Sequence, residues 1–192
     1  FALFSDSMVR YSDNLLLNTT VCGLIMVGGI GFPVLYDLQS WFVSRKVKRV
    51  RLSIQTKTVL VTTLALIFYG ALMFAFLERQ VLEEAASLSH RILTPLFQSI
   101  ACRTAGFNTV DISSLRDATL ALMMFLMFFG ASPGSCGGGV KTTTLAVLTA
   151  FTLSRVRGRH RVNMFNKSIP NETVTRSVSL ILVSMGIIGM VL

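Results

Sequence analysis

The sequence is short of charge, of acid and of chemistry-bearing side chains. Only 14% of its 192 residues are charged, against about 25% in an ordinary soluble domain, while 52% are hydrophobic. That imbalance excludes a conventional soluble domain. Acids are the scarcer sign, nine Asp and Glu against 18 Lys and Arg, for a formal net charge of +9. The three cysteines, Cys22, Cys102 and Cys136, are odd in number and have no CxxC spacing, so neither a disulfide framework nor a zinc site is indicated. His90 and His160 lie outside the apolar stretches, and no acid lies within any of them. Membrane enzymes usually carry ionisable groups inside their spans, so the sequence reads as a non-enzyme. Asp6, Arg10 and Asp13 precede the first apolar run and no small-residue cleavage pattern follows it, which excludes a signal peptide there.

What is present is a set of long charge-free runs: 14–36, 58–77, 118–140, 142–154 and 177–192. Three of them reach the roughly 20 residues that a membrane-spanning helix needs. The excess positive charge is confined to two places. Segment 38–57 holds six basic residues and no acid, and 155–176 holds six against Glu172. An even number of crossings separates them, so both satisfy the positive-inside rule as cytoplasmic segments. The N-terminal residues and 78–117 are then external. Basic runs that abut apolar spans act as orientation signals and lipid-headgroup anchors, so no nucleic-acid partner is expected. The membrane lipid is.

Two segments do not behave as simple spans. The apolar run 92–102 is too short to cross, since a helix rises about 1.5 Å per residue, and runs of this length are more often re-entrant or buried. Pro95 falls in its first turn, where a missing N–H costs nothing. The polar stretch Thr104-Ala-Gly-Phe-Asn108 follows at once, and Asp111, Arg116 and Asp117 bring the chain back out. This is a helix, pore-loop, helix layout. A half-helix ending at such a loop can aim backbone carbonyls at a cation, with Gly106 free to adopt positive φ. The alternative is a surface amphipathic helix ending in a glycine cap.

The stretch 118–154 has 37 residues and one charge. As a single helix it would extend about 55 Å, nearly twice the hydrocarbon thickness of about 30 Å. Five glycines and a proline within 130–139 break it: Gly130, Pro133, Gly134, Gly137, Gly138 and Gly139, with Ser132, Ser135 and Cys136 between. Irregular backbone at this depth occurs only where protein or a water-filled cavity surrounds it, so the loop marks a permeation path or an obstruction in it. It is not a nucleotide-binding P-loop: Val140 separates the glycines from Lys141, and an apolar helix precedes it in place of a strand. Lys141 has two readings, a lysine snorkelling from the end of a span or a positive charge that raises the barrier to cations.

Together these motifs resemble the Trk/Ktr/HKT potassium-transport superfamily. Thr104-Ala-Gly-Phe-Asn-Thr-Val-Asp111 looks like a selectivity-filter loop, Gly130 to Thr144 resembles the gating loop that follows that filter in the third repeat, and Gly28-Gly-Ile-Gly-Phe-Pro33 with Asp37-Leu38 is similar to the inner half of the second repeat's M2 helix. The wording is nearest to KtrB-type bacterial subunits. The resemblance implies an all-α membrane protein with a pseudo-fourfold, potassium-channel-like pore of M1–P–M2 repeats. It divides the chain into the end of repeat two (1–38, with Phe1–Ser5 just after its filter glycine), a basic cytoplasmic linker (39–57), repeat three (58–154), a second linker (155–176) and the start of repeat four (177–192). It implies K⁺ at the carbonyls of Thr104, Ala105, Gly106 and Phe107, with Asn108 completing the filter, and a gate at 130–140. The family has Thr where Cys136 stands. The implied function is K⁺ uptake, with Na⁺ permeation or K⁺/Na⁺ symport as the alternative and a non-transporting membrane subunit as the reading from another class. The implied partners are a second copy and a cytoplasmic ring of nucleotide-binding RCK-type subunits, so that nucleotide binds the partner.

Overall fold

A computed structural model describes residues 6–44, 52–79, 82, 88–158, 162–165 and 167–191. The expectations for Phe1–Ser5, for Arg45, Lys46, Lys48, Arg49 and Arg51, and for Arg159, His160 and Arg161 lie outside them.

The chain begins with α1 (Leu15–Ile30), capped by the Asn14 side chain, which accepts from the Leu17 amide. At Gly31 it turns by 100° into α2 (Phe32–Ser44). The run 14–36 is therefore bent, and helix continues eight residues past it into the expected linker. Gly31 has φ +92°, and a Cβ there would lie 2.5 Å from the Pro133 carbonyl oxygen. Only glycine fits both the conformation and the space.

The helix α3 (Ile54–Leu77) is the longest, about 36 Å at 1.5 Å per residue, and can cross a membrane unaided. Its side chains are apolar all round, which suits lipid on one side and protein on the other. Its most extensive packing is against α4 (Leu88–Ala101). The Ser99 hydroxyl donates to the Ile67 carbonyl at 2.9 Å, and the bare face of Gly70 admits Ser99 and Leu126. Pro95 is the eighth residue of α4, not in its first turn. Leu88 to Arg91 are helical although partly polar, because loss of hydropathy does not end a helix. Pro95 therefore removes one internal hydrogen bond.

Two shorter helices follow, α5 (Asp117–Phe128) and α6 (Thr142–Val156), with an irregular segment between them. The second linker is partly ordered: β1 (Asn163–Met164) and β2 (Lys167–Ser168) form a small antiparallel hairpin, which with an isolated parallel bridge between Phe129 and Val140 departs from an all-α fold. It packs beside a cluster of Val147, Val162 and Val174. The last helix, α7 (Asn171–Val191), starts six residues before the charge-free run, with Glu172 and Arg176 paired at 2.6 Å in its opening turns.

Among the described residues α3 and α7 are the helices long and apolar enough to cross a membrane, and the bent α1–α2 pair adds a third if it is one span. Many large apolar side chains face outward, Leu24, Phe68, Phe76 and Met185 among them. A soluble monomer rarely presents so many exposed large apolar side chains.

Candidate functional site

The end of α4 sets the first part of the site. Its last carbonyls need donors, since no further helical turn supplies them. The Cys102 amide donates to Gln98, and the Ala101 carbonyl accepts from both Ala105 and Gly106 at 3.1 and 3.2 Å. The chain then leaves the helix with φ +75° at Thr104 and +76° at Gly106, but not at Ala105 or Phe107. Such alternation belongs to neither helix nor strand. At Thr104, a β-branched residue, it costs on the order of 1–3 kcal/mol and persists only where surroundings enforce it.

Among the described residues no backbone N–H donates to the carbonyls of Thr104, Ala105, Gly106 or Phe107. Four consecutive carbonyls thus lack a backbone donor among the described residues. Asn108 is different: its carbonyl accepts from the Met8 amide at 3.0 Å and its own amide donates to Ser7 Oγ at 3.1 Å. It ties the loop to the segment preceding α1, so one lone pair of its carbonyl is already engaged.

The segment 129–141 is the second part. It is pinned at its ends and along its length. Val140 donates to Phe128 at 3.0 Å, and the buried Ser132 and Thr142 hydroxyls are 3.1 Å apart. Ser135 Oγ donates to the Ser132 carbonyl at 2.5 Å. Lys141 does not reach away along the span: its Nζ donates to the Gly137 carbonyl at 2.7 Å, tying down the middle of the loop. A Cβ on Gly137 would lie 2.5 Å from Thr104 Oγ1, so the two loops are in direct contact. The bare face of Gly130 packs against the Gly138 backbone with no room for a side chain, whereas Gly138 faces open space, and the Ala131 amide donates to the Gly138 carbonyl. Pro133 and Gly134 face Gly31 and Pro33 of the first kink, while Gly139 turns the chain back toward α6 with φ +75°.

Between these loops and α1 is a cavity of about 180 Å³, lined by Ile25, Gly28, Gly29, Arg103, Thr104, Ala105, Cys136 and Gly137. Cys136 is exposed and free, whereas Cys22 and Cys102 are buried. Arg103, assigned from sequence to an external loop, lines this cavity, and its Nε is buried with no hydrogen-bond partner among the described residues.

Sequence reasoning missed the contacts made at three further positions. Glu78, counted as an external charge, is 2% exposed; it accepts from the Arg116 amide at 2.9 Å and from Thr119 Oγ1 at 2.6 Å. It thereby caps α5, whose own N-cap residue Arg116 makes no side-chain cap. Asp37, an acid inside helix α2, accepts from Thr56 Oγ1 at 2.6 Å at the start of α3. Gln98, in α4, is 1% exposed and its amide group has no partner among the described residues. The available signal was position: Glu78 and Asp37 each border an apolar run, where a solvated charge and a cap look alike.

A short helix followed by a loop whose carbonyls meet no backbone donor among the described residues, set against a break between two further apolar helices, is the layout of a helical membrane protein. The sequence comparisons give the family. The cation transport protein (TrkH) family model matches residues 1–192, and the chain belongs to that family. The chain is 39% identical over 190 residues to Ktr system potassium uptake protein B of Vibrio alginolyticus, covering 98% of this chain and 41% of the relative. It is 33% identical over 188 residues to the potassium/sodium uptake protein NtpJ of Enterococcus hirae, covering 97% and 41%. The crystal structure of the potassium transporter TrkH from Vibrio parahaemolyticus superposes with a TM-score of 0.69 at 18% identity, over 93% of this chain and 38% of that one. The fold is thus that of these transporters, not of an enzyme, and the chain spans about 41% of the length of the relatives it matches.

Proposed function

We propose that this chain forms the third filter and the gate of a membrane protein that takes up K⁺, within a ring of four M1–P–M2 repeats. The carrying observation is the set of four carbonyls, Thr104 to Phe107, without backbone donors among the described residues, at the end of a half-helix. Oxygen dipoles so placed replace the hydration shell of a monovalent cation. The half-helix adds partial negative charge at its C-terminus. Asn108 anchors the loop more than it binds the ion.

On this reading 1–38 ends repeat two, 58–154 is repeat three and 177–192 opens repeat four, joined by cytoplasmic segments 39–57 and 155–176; the N-terminal residues and 78–117 are external. The loop 130–140 is the gate, because it touches the filter at Gly137 and closes one side of the cavity beneath it. A homodimer on a nucleotide-binding cytoplasmic ring is the assembly, with nucleotide on the ring.

Na⁺ permeation with K⁺ is the second reading, favoured by the name of the E. hirae relative, a potassium/sodium uptake protein. Substituting Gly106→Ser in the full-length protein and measuring K⁺ and Na⁺ uptake tests the assignment. A non-glycine residue at φ +76° is strained, so the filter distorts and K⁺/Na⁺ preference falls. Unchanged uptake and preference would remove the filter from 104–107.

A further inference from the structure

The geometry points to a gate built from two repeats: the loop 130–140 closes by docking on the kink at Gly31, and Asp37 positions that kink through Thr56. This rests on the reading of the loop as the gate.

A kinked helix leaves backbone groups without partners at the break. Here the loop supplies them. The Ser132 amide donates to the Gly29 carbonyl at 3.1 Å and the Cys136 amide to the Gly28 carbonyl at 3.4 Å, both in the last turn of α1. In return the Phe32 amide, first in α2, donates to the Gly134 carbonyl at 3.0 Å. The fit is close as well as bonded: a Cβ on Gly134 would lie 2.8 Å from Pro33 Cδ, and one on Gly31 2.5 Å from the Pro133 oxygen. Loop and kink each satisfy groups that the other leaves bare. Moving the loop therefore uncaps the kink, and tilting α2 pulls on the loop.

What holds α2 is limited. Phe32, Tyr36, Phe42 and Val43 point outward and Val34 is buried. One and a half turns beyond the kink, Asp37 Oδ2 accepts from Thr56 Oγ1 at 2.6 Å and from the Ser53 amide at 3.4 Å. Ser53 caps α3, so the carboxylate joins α2 to the N-terminus of the next membrane helix, where negative charge is favoured. Loop and α3 cap thus fasten α2 at two points. Asp37 and Thr56 are positioning residues: they touch no ion and act through the kink.

The test uses the full-length transporter in liposomes, with Thr56→Val, Asp37→Ala and the pair together. Losing a hydrogen bond to a charged group shifts the closed-to-open ratio about tenfold toward open. Flux without activating conditions rises accordingly in each single variant, the double variant exceeds neither by much, and K⁺/Na⁺ preference is unchanged. Deleting 132–138 alone raises flux, and in that background Thr56→Val has no further effect. Wild-type flux in both single variants, or a Thr56→Val effect of undiminished size without the loop, overturns the two-repeat gate and leaves the loop as a gate standing. A deletion that leaves flux at the wild-type level overturns the gate reading and this inference with it. Hydrogen exchange gives a second arm that needs no deletion. Thr56→Val accelerates exchange of the Ser132, Cys136 and Phe32 amides; protection equal to wild type at all three contradicts the coupling.

Discussion

At the residue scale, three charged side chains hold structure in ways their sequence positions conceal. Lys141 is a tie, joined to Gly137 at 2.7 Å. Lys141→Ala frees the centre of the loop, so open probability and flux rise while ion preference stays, as single-channel or liposome flux recordings can check. Equal flux and gating would contradict the tie. Glu78 is buried and caps a helix from a neighbouring element. Glu78→Ala leaves the Arg116 amide and the Thr119 hydroxyl unsatisfied, at a cost of about 1–3 kcal/mol; the melting temperature of the full-length protein falls. Asp111 carries a smaller effect with a definite sign. Hydrogen bonds from the Ser113 hydroxyl and then the Ser113 amide hold its carboxyl below the usual carboxylate range. A depressed value means the cap is intact above the ordinary Asp value of about 3.9 and is lost as pH falls through the lowered one. Protection of the Ser113 amide therefore persists at neutral pH and disappears only in acid below about pH 4.

At the element scale, the half-helix, the irregular loop after it and the helix break could be read from the sequence because each has a compositional cause. A short apolar run ends at Arg103, glycine and threonine follow, and glycines cluster at 130–139. The kink at Gly31 was not legible. A charge-free run records compatibility with lipid, not straightness, and 14–36 stays apolar through a 100° bend. Gly31 followed by Pro33 was the available sign. The same distinction explains α4 and α7, which start in polar sequence because helix and hydropathy end for different reasons. Interlocking of the two breaks was beyond reach: it consists of backbone hydrogen bonds between residues a hundred apart, and no side-chain pattern encodes them.

At the scale of the whole molecule, a chain both apolar and basic resolves into membrane helices joined by positive segments. The proposed topology places Ser113 outside and Lys167 inside. A membrane-impermeant thiol reagent applied to intact cells therefore labels Ser113→Cys, whereas Lys167→Cys reacts only after permeabilisation; the opposite pattern would invert the topology. The family shares this fold, and on the proposed reading the described elements supply one wall of a pathway whose other walls come from the remaining repeats. What makes that wall selective is the claim on which the rest depends: carbonyls of Thr104 to Phe107 facing the ion. Rb⁺ or Tl⁺ bound to the full-length protein, located by anomalous diffraction, tests it most directly. The account predicts cation density in contact with the carbonyl oxygens of Thr104, Ala105, Gly106 and Phe107; density elsewhere along the pathway with none at these four oxygens would contradict it.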